Sequence, residues 1–219
     1  MAQPAEVVTP ALAHRSRGAL TLSQRWWGLD WAPHLPWRFD DVVVELGSTE
    51  EVLAFVRDHY AAIFDIEGDS PRFFADPMTD AKLKFSQEMD MFAFRHDGAC
   101  IGVLLAHASD WSTYYMRSGG FLPAYKGRQL LGRCFERMFA PLRDAGVVRV
   151  DADTAPSNHA CVRMLTRLGF NTTGMVNTER WGALLRMTKF LHEDALHAFH
   201  DRFCLGALDV LPGAGERRK

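Results

Sequence analysis

Apolar positions near residue 42 first recur with the spacing of a strand and then with that of a helix. The segment VVVEL at 42–46 predicts a short buried strand. Ser48 and Glu51 then form the pattern of a capping box, and apolar residues at helical spacing continue to about Ile63. The stretch 65–89 is mixed in character and predicts at most a short helix.

The next segment has the alternation and turn chemistry of a β-meander. An Asp-Gly pair at 97–98 divides two apolar runs and supplies the positive φ that a two-residue hairpin turn needs. The run 112–123 predicts a third strand. Paired glycines at 119–120 inside it indicate a bulge, or a close approach by another part of the backbone.

The second half of the chain alternates between helix and strand patterns. A long apolar stripe from Leu130 ends at Gly146, and a second helix follows an Asn cap and ends at Gly169. Between and after these helices we expect strands at 147–153, 171–177 and 182–191, and then a helix from about His192. The predicted fold is α/β, with a mixed, mostly antiparallel sheet, one parallel strand–helix–strand crossover, and helices on both faces.

We divide the chain into three parts. Residues 1–40 form a tryptophan-rich N-terminal extension, 41–191 the main domain, and 192–219 a C-terminal helix and tail. The extension interleaves its tryptophans with glycine and proline, which argues against a regular helix or a central strand. We favour a segment that packs across the domain surface, and a lid over a binding pocket or a dimer contact stays open.

Composition and charge limit the function classes. The 219 residues suit one compact domain, and the net charge of −2 gives no electrostatic case for a nucleic-acid partner. No apolar run is long enough for a membrane span, and the N-terminus lacks the core of a secretory signal, so we expect a cytoplasmic protein. The four cysteines have no metal-ligand spacing, so we expect neither a metal site nor disulfides.

The loop 123–129 and the helix after it form the first candidate binding site. A helix start presents unpaired N–H groups and a partial positive charge, which suit a pyrophosphate. Lys126 and Arg128 place two further cations beside the predicted helix start at Leu130.

A second motif makes a resemblance specific. Asn158 opens a helix that ends in Leu-Gly-Phe at 168–170, and this resembles a pattern of the GNAT (Gcn5-related) acyltransferases. PAYKGRQLL at 123–131 resembles that family's Pro-x-Tyr-Arg-Gly-x-Gly-x-Gly/Ala pyrophosphate loop, at the expected distance upstream. The resemblance covers roughly 42–191 and implies a GNAT-like fold.

The resemblance also implies a cofactor and the residues that hold it. The cofactor would be acetyl-CoA or another acyl-CoA, with an acyl-carrier-protein thioester as an alternative donor. Splayed strands would bind the pantetheine arm, and the N–H near Phe121 would polarise the thioester carbonyl. The residues expected to bind the cofactor are Phe121, Leu122, Lys126, Gly127, Arg128, Gln129, Leu130, Leu131 and Asn158.

Three departures from the family pattern bear on catalysis. Gln129 and Leu131 stand where the family prefers small residues, and side chains there crowd a diphosphate. Leu165 replaces a tyrosine that protonates the departing thiolate in many members. No general base is obvious from the sequence. The candidates are His107, Asp110 and Tyr114, followed by Tyr115 and Glu179.

We therefore expect an acyltransferase that moves an acetyl or other acyl group from CoA to the amine of a small molecule by direct attack. The acceptor itself and any homodimer stay open. Two alternatives remain. One is an enzyme of the same fold that uses a longer acyl chain or an acyl carrier protein, and the other is a regulatory module that binds acyl-CoA without turnover.

Overall fold

The structure of the protein is a computed structural model that describes residues 20–64, 79–178 and 181–203. Eight strands form one sheet. They are β1 (Trp37–Phe39), β2 (Val42–Leu46), β3 (Asp90–His96), β4 (Ala99–Ala108), β5 (Thr113–Phe121), β6 (Arg149–Thr154), β7 (Asn171–Thr178) and β8 (Gly182–Phe190). The α-helices are α1 (Leu22–Trp27), α2 (Thr49–Phe64), α3 (Asp80–Gln87), α4 (Leu130–Asp144), α5 (His159–Arg167) and α6 (Glu193–Arg202).

The sheet has the predicted mixed topology. Its spatial order is β1-β2-β3-β4-β5-β6-β8-β7, and every neighbouring pair is antiparallel except β5 and β6. Helix α4 connects these two parallel strands as the crossover. The predicted fold class is therefore confirmed, including the hairpin whose Asp97 and Gly98 both adopt positive φ.

Helices cover both faces of the sheet. On one face the apolar stripe of α4 and the buried Leu165 of α5 join the main core. On the other face α2 contributes Val52, Phe55 and Ile63 to a second cluster against β3 and β4. The two faces follow from the alternation of side chains along each strand. Strand β5 therefore has α4 on one face and α2 on the other.

The parallel pair separates part of the way along. Strands β5 and β6 pair from Thr113 with Arg149 as far as Met116 with Ala152. Beyond that point β5 continues to Phe121 and β6 to Thr154 without pairing to each other. We call the space between these unpaired ends the β5–β6 gap.

A bulge lies where the gap begins. The β4–β5 register shifts between Leu105 and Ala106, which leaves Arg117 as the extra residue on β5. The glycine pair at 119–120 predicted a bulge at its own position, and the observed bulge precedes it. Gly120 instead allows a close approach, because a Cβ there would clash with Ile63 of α2.

The N-terminal segment is more regular than its composition predicted. Thr21 caps helix α1, which ends at Gly28 in a left-handed conformation, so the expectation of an irregular segment is wrong for Leu22–Trp27. Trp31 and Trp37 are buried in the main core, whereas Trp26 is exposed. The segment is thus part of the domain's apolar packing.

Some features predicted from the sequence lie outside the described residues. They include Glu179, Cys204 and the first part of the N-terminal extension. The short helix expected within 65–89 is α3, which Thr79 caps. Among the described helices, none has both the length and the apolar character needed to cross a bilayer.

Candidate active site

The start of helix α4 presents free main-chain donors. Gln129 is the N-cap residue and adopts a left-handed conformation with φ 59°. The first intrahelical bond of this turn runs from the N–H of Arg133 to the carbonyl of Gln129. No side chain caps the helix and its first turn holds no acidic residue. The N–H groups of Leu130, Leu131 and Gly132 are therefore oriented for an anion.

The two cations predicted beside this helix start both have partners in the protein. Lys126 donates from Nζ to the carbonyl of Ala62 at 2.9 Å. Arg128 forms an ion pair with Asp41 in the turn between β1 and β2, and its guanidinium stacks on Tyr125. This pairing lowers the pKa of Asp41. The main-chain amides at the start of α4 are thus the donors that can bind an anion without first breaking a contact within the protein.

The two unusual residues of this loop occupy positions that explain the family's preference for small ones. Gln129 takes the left-handed conformation that glycine adopts without steric cost. The side chain of Leu131 lies against the sheet, with its Cδ1 3.3 Å from the position of a Cβ on Gly119. The absence of a side chain at Gly119 thus leaves space for Leu131.

The edge of β5 that faces the gap has free backbone groups. Leu122 donates its N–H to the carbonyl of Ile101 at 2.9 Å, which makes Gly102 and Phe121 a non-hydrogen-bonded pair of the β4–β5 ladder. In such a pair the N–H and C=O groups point away from the neighbouring strand. The backbone of Phe121, and by the same alternation that of Gly119, therefore faces the β5–β6 gap.

Helix α5 begins on the other side of the gap. The carbonyl oxygen of the Asn158 side chain accepts from the N–H of Cys161 at 3.1 Å and caps the helix. The side chain is exposed, and its amide nitrogen has no hydrogen-bond partner among the described residues. Leu165, about two turns further along α5, is fully buried in the main core.

A polar cavity of about 270 Å³ lies on the opposite face of the sheet from α4 and α5. Its lining residues are His107, Ser109, Tyr115, Arg117, Asp151 and Arg186. Register brings three of them into one row, because His107 pairs with Tyr115 and Tyr115 with Asp151. The row lies one residue before the β5–β6 gap opens, so the cavity and the gap meet at the same point of the sheet.

His107 has the features of a neutral base. Its Nδ1 lies 3.1 Å from the carbonyl of Ala108, which can only accept, so Nδ1 carries the proton and Nε2 the lone pair. Nε2 is buried without a hydrogen-bond partner in the described part of the chain. Burial lowers the pKa of His107, and the positive charge of Arg117 lowers it further. His107 therefore stays neutral at neutral pH.

The floor of the cavity holds a charge network. Arg186 donates two hydrogen bonds to Asp153, at 2.9 and 2.8 Å, and Tyr115 donates to the same carboxylate at 3.0 Å. Burial and the negative charge of Asp153 raise the pKa of Tyr115 to about 12. Tyr115 is thus a permanently protonated donor at physiological pH.

Asp151 provides the acceptor of this cavity. Its Oδ1 accepts from the hydroxyl of Thr188 at 2.7 Å, and no described residue donates to Oδ2. The Asp151 side chain is only 9% exposed, and this burial raises the pKa of its carboxyl group. Its second oxygen is available to a donor that enters the cavity.

The other two predicted catalytic residues lie elsewhere. Asp110 caps the β4–β5 turn by accepting from the N–H and hydroxyl of Ser112, both at 2.8 Å. Partial burial raises the pKa of Asp110, but the hydrogen bonds from Ser112 outweigh this effect and the net pKa is lowered. Asp110 is therefore a weak base. Tyr114 is fully buried on the opposite face of the sheet, where it donates to Asp90. Only His107 of the three lines the cavity.

Sequence reasoning missed Arg117, Asp151 and Arg186. The alternation in VVRVDAD places Asp151 and Asp153 on one face, opposite the apolar positions, and this signal was available. The partnership of these residues with β5 and β8 depends on register, which only the structure supplies.

A thioester cofactor beside a sheet needs a gap for its arm and a helix start for its phosphates. The structure has both, and the gap opens beside the polar cavity, an arrangement that suits an acyltransferase. The model of the acetyltransferase (GNAT) family matches residues 53–170. The chain therefore belongs to the GNAT acetyltransferases, enzymes that transfer an acetyl group from acetyl-CoA to an amine. The family and enzyme class inferred from the sequence motifs are confirmed.

Solved structures share this fold at low sequence identity. A putative acetyltransferase from Salmonella typhimurium, solved with acetyl-CoA, has a TM-score of 0.54 and 18% identity, over 70% of this chain and 96% of that one. A ribosomal-protein-S5-alanine acetyltransferase from Vibrio fischeri has a TM-score of 0.53 and 15% identity, over 73% and 98%. A spermidine N-acetyltransferase chimera (Vibrio cholerae and hSSAT) has a TM-score of 0.54 and 12% identity, over 72% and 99%. No curated protein matches the chain.

Proposed function

We propose that the protein acetylates the amine of a small molecule, that this acceptor binds in the polar cavity, and that His107 is the general base. The observation that carries the proposal is the unpartnered Nε2 of His107, buried in the wall of a cavity that meets the β5–β6 gap. A bound amine is the donor that this nitrogen lacks.

The residues around the gap fit acetyl-CoA. The uncapped amides of Leu130, Leu131 and Gly132 would hold the pyrophosphate. The backbone of Gly119 and Phe121 and the amide of Asn158 would bind the pantetheine arm, and the Phe121 N–H would also polarise the thioester carbonyl. Leu122 and Gly127 shape the loop between these two parts of the site. Lys126 and Arg128 would contribute long-range charge, because each is already engaged with the protein.

Acetyl-CoA, when bound, supplies an acetyl thioester, whose C–S bond breaks as the acceptor nitrogen bonds to the carbonyl carbon and the thiolate leaves with the electron pair. Nε2 of His107 takes the proton that the nitrogen loses. Oδ2 of Asp151 accepts another N–H of the amine and orients its lone pair. Tyr115 keeps its proton and holds Asp153 in place.

The departing thiolate takes its proton from solvent in this scheme. Leu165 occupies the family's usual acid position and has no proton to give, and it is fully buried in apolar surroundings. Tyr115 donates its hydroxyl to Asp153, and a pKa of about 12 makes it a poor acid. The thiolate is a stable enough leaving group to depart without an acid near neutral pH.

A thiol-release assay with acetyl-CoA and a panel of small primary amines tests the proposal. We expect release that depends on the amine, together with the N-acetylated product in mass spectrometry. Competition by free CoA and by an acylated carrier protein in the same assay identifies the donor. We expect free CoA to compete with acetyl-CoA. The absence of thiol release with every amine, from protein that binds acetyl-CoA, would favour a regulatory module and remove the proposed function.

A further inference from the structure

The polar cavity contains a cation without a counterion. Its two arginines differ in this respect, because Arg186 is neutralised by two hydrogen bonds to Asp153. Arg117 has neither an ion pair nor a hydrogen bond with any residue in the described ranges. It lies on the bulge at the mouth of the β5–β6 gap. An unpaired guanidinium at this point has spare capacity to bind an anion.

The guanidinium is also held in position. Its central carbon lies 5.4 Å from the centre of the Phe85 ring of α3, within the range of a cation–π contact. His107 lies against the same ring, with the two ring centres 5.1 Å apart. Phe85 therefore places the proposed base and the free cation beside each other on one wall of the cavity.

Electrostatics places the two groups within range of each other. The charge of Arg117 lowers the pKa of His107 and opposes the rise in the pKa of Tyr115. An anion bound to Arg117 would neutralise this charge at the point where the amine gives up its proton. Arginine suits a carboxylate, because its planar fork donates two parallel hydrogen bonds.

From this arrangement we infer that the acceptor is an amine with a carboxylate on a neighbouring carbon, and that Arg117 binds this carboxylate while the nitrogen lies between His107 and Asp151. The inference rests on the proposed function and narrows its substrate class to α-amino acids and close analogues. Asp151 receives the amine end of such an acceptor, which reacts as the free amine after losing one proton to solvent, and Arg117 receives the carboxylate end. A polyamine or a peptide N-terminus has no carboxylate at this distance.

Matched acceptors test the inference directly. Each proteinogenic amino acid is compared with its carboxamide, which keeps the shape, removes the charge and mimics a peptide N-terminus. We expect wild-type kcat/KM for the best amino acid to exceed that of its carboxamide by about tenfold or more, as a charge-assisted bidentate contact supplies. In Arg117→Gln this preference should fall to about onefold, mainly through a higher KM for the amino acid.

Two further variants distinguish the charge of Arg117 from the shape of its guanidinium, and both from the effect of removing any arginine. Arg117→Lys should retain part of the preference, because it keeps the charge but loses the fork. Arg137→Gln, an exposed residue of α4 on the opposite face, should leave the preference unchanged. Circular dichroism checks that each variant is folded.

The outcomes distinguish this inference from the proposed function. Turnover of amines without a preference for the acid, or a preference that Arg117→Gln retains, would overturn the inference and leave amine acetylation standing. A preference for the carboxamide would point to peptide acceptors and would also overturn it. No thiol release with any pair would remove the proposed function, and the inference with it.

Discussion

Tyr115 and Asp151 face each other in register across the parallel strands β5 and β6, one residue before the pairing ends. This position links the two halves of the proposed site. On the cavity side the two side chains lie beside His107, and beyond them the strands separate and leave the backbone of β5 free to bind an acyl donor. The proposed base and the acyl donor would thus meet at a point that strand register defines.

Replacing the proposed base should remove most of the turnover. We expect His107→Gln to lower kcat/KM by about 10²-fold or more, the usual contribution of a positioned general base. His197→Gln is the matched control, because this histidine is exposed on α6 and away from the cavity. An equal loss in both variants, or none in His107→Gln, would contradict the role of His107.

The pH profile should report the same residue. Catalysis needs neutral His107, and burial holds its pKa below the ordinary value of 6.5. The free-amine fraction of the acceptor also falls with pH, so kcat is measured at saturating acceptor. The wild-type kcat should be retained as pH falls to 6.5 and decline only at lower pH, when Nε2 becomes protonated. His107→Gln should lose this acidic limb. A wild-type decline that begins well above pH 6.5 would argue for a different base.

The ion pair beside helix α4 should weaken cofactor binding. Asp41 engages Arg128 and places a negative charge near the proposed phosphate site. We expect Asp41→Asn to lower the Kd for acetyl-CoA about two- to fivefold, the size of an exposed charge interaction. Calorimetry measures this, with Asp144→Asn at the far end of α4 as the control. Weaker binding in Asp41→Asn would show that the pair supports the loop instead.

The N-terminal tryptophans should contribute unequally to stability. Trp31 is 2% exposed within the main core, so Trp31→Ala should lower the free energy of unfolding by about 3–5 kcal/mol. Trp26 is 49% exposed, and Trp26→Ala should change it by less than about 0.5 kcal/mol. Urea denaturation compares the two. Similar small effects would show that residues 20–39 do not belong to the folded core.

The sequence predicted the order of elements well because their signals are local. The apolar stripe of α4 and the Asp-Gly turn at 97–98 depend on neighbours a few residues away. The bulge at Arg117 depends on how β5 pairs with β4, and the burial of Trp31 depends on contacts with Phe92 and Tyr114. Such long-range relationships cannot be predicted from the residues next to each position in the sequence.

The candidate site was predictable to the same degree. The loop 123–131 and Asn158 could be proposed as binding residues from the sequence because each belongs to one continuous motif. Among the base candidates the sequence offered no ranking, since His107 acquires its environment from β5 and α3. Tyr114 and Tyr115 are neighbours in sequence but lie on opposite faces of the sheet, and only the register decides which one lines the cavity.

Amide hydrogen exchange, followed by NMR, tests most directly whether the β5–β6 gap holds the acyl donor. The N–H of Phe121 faces the gap, whereas that of Gly120 belongs to the β4–β5 ladder. We predict that saturating acetyl-CoA slows exchange at Phe121 strongly and changes the already slow exchange at Gly120 little. Exchange at Phe121 that is unaffected by acetyl-CoA, at a concentration that supports thiol release, would contradict the account.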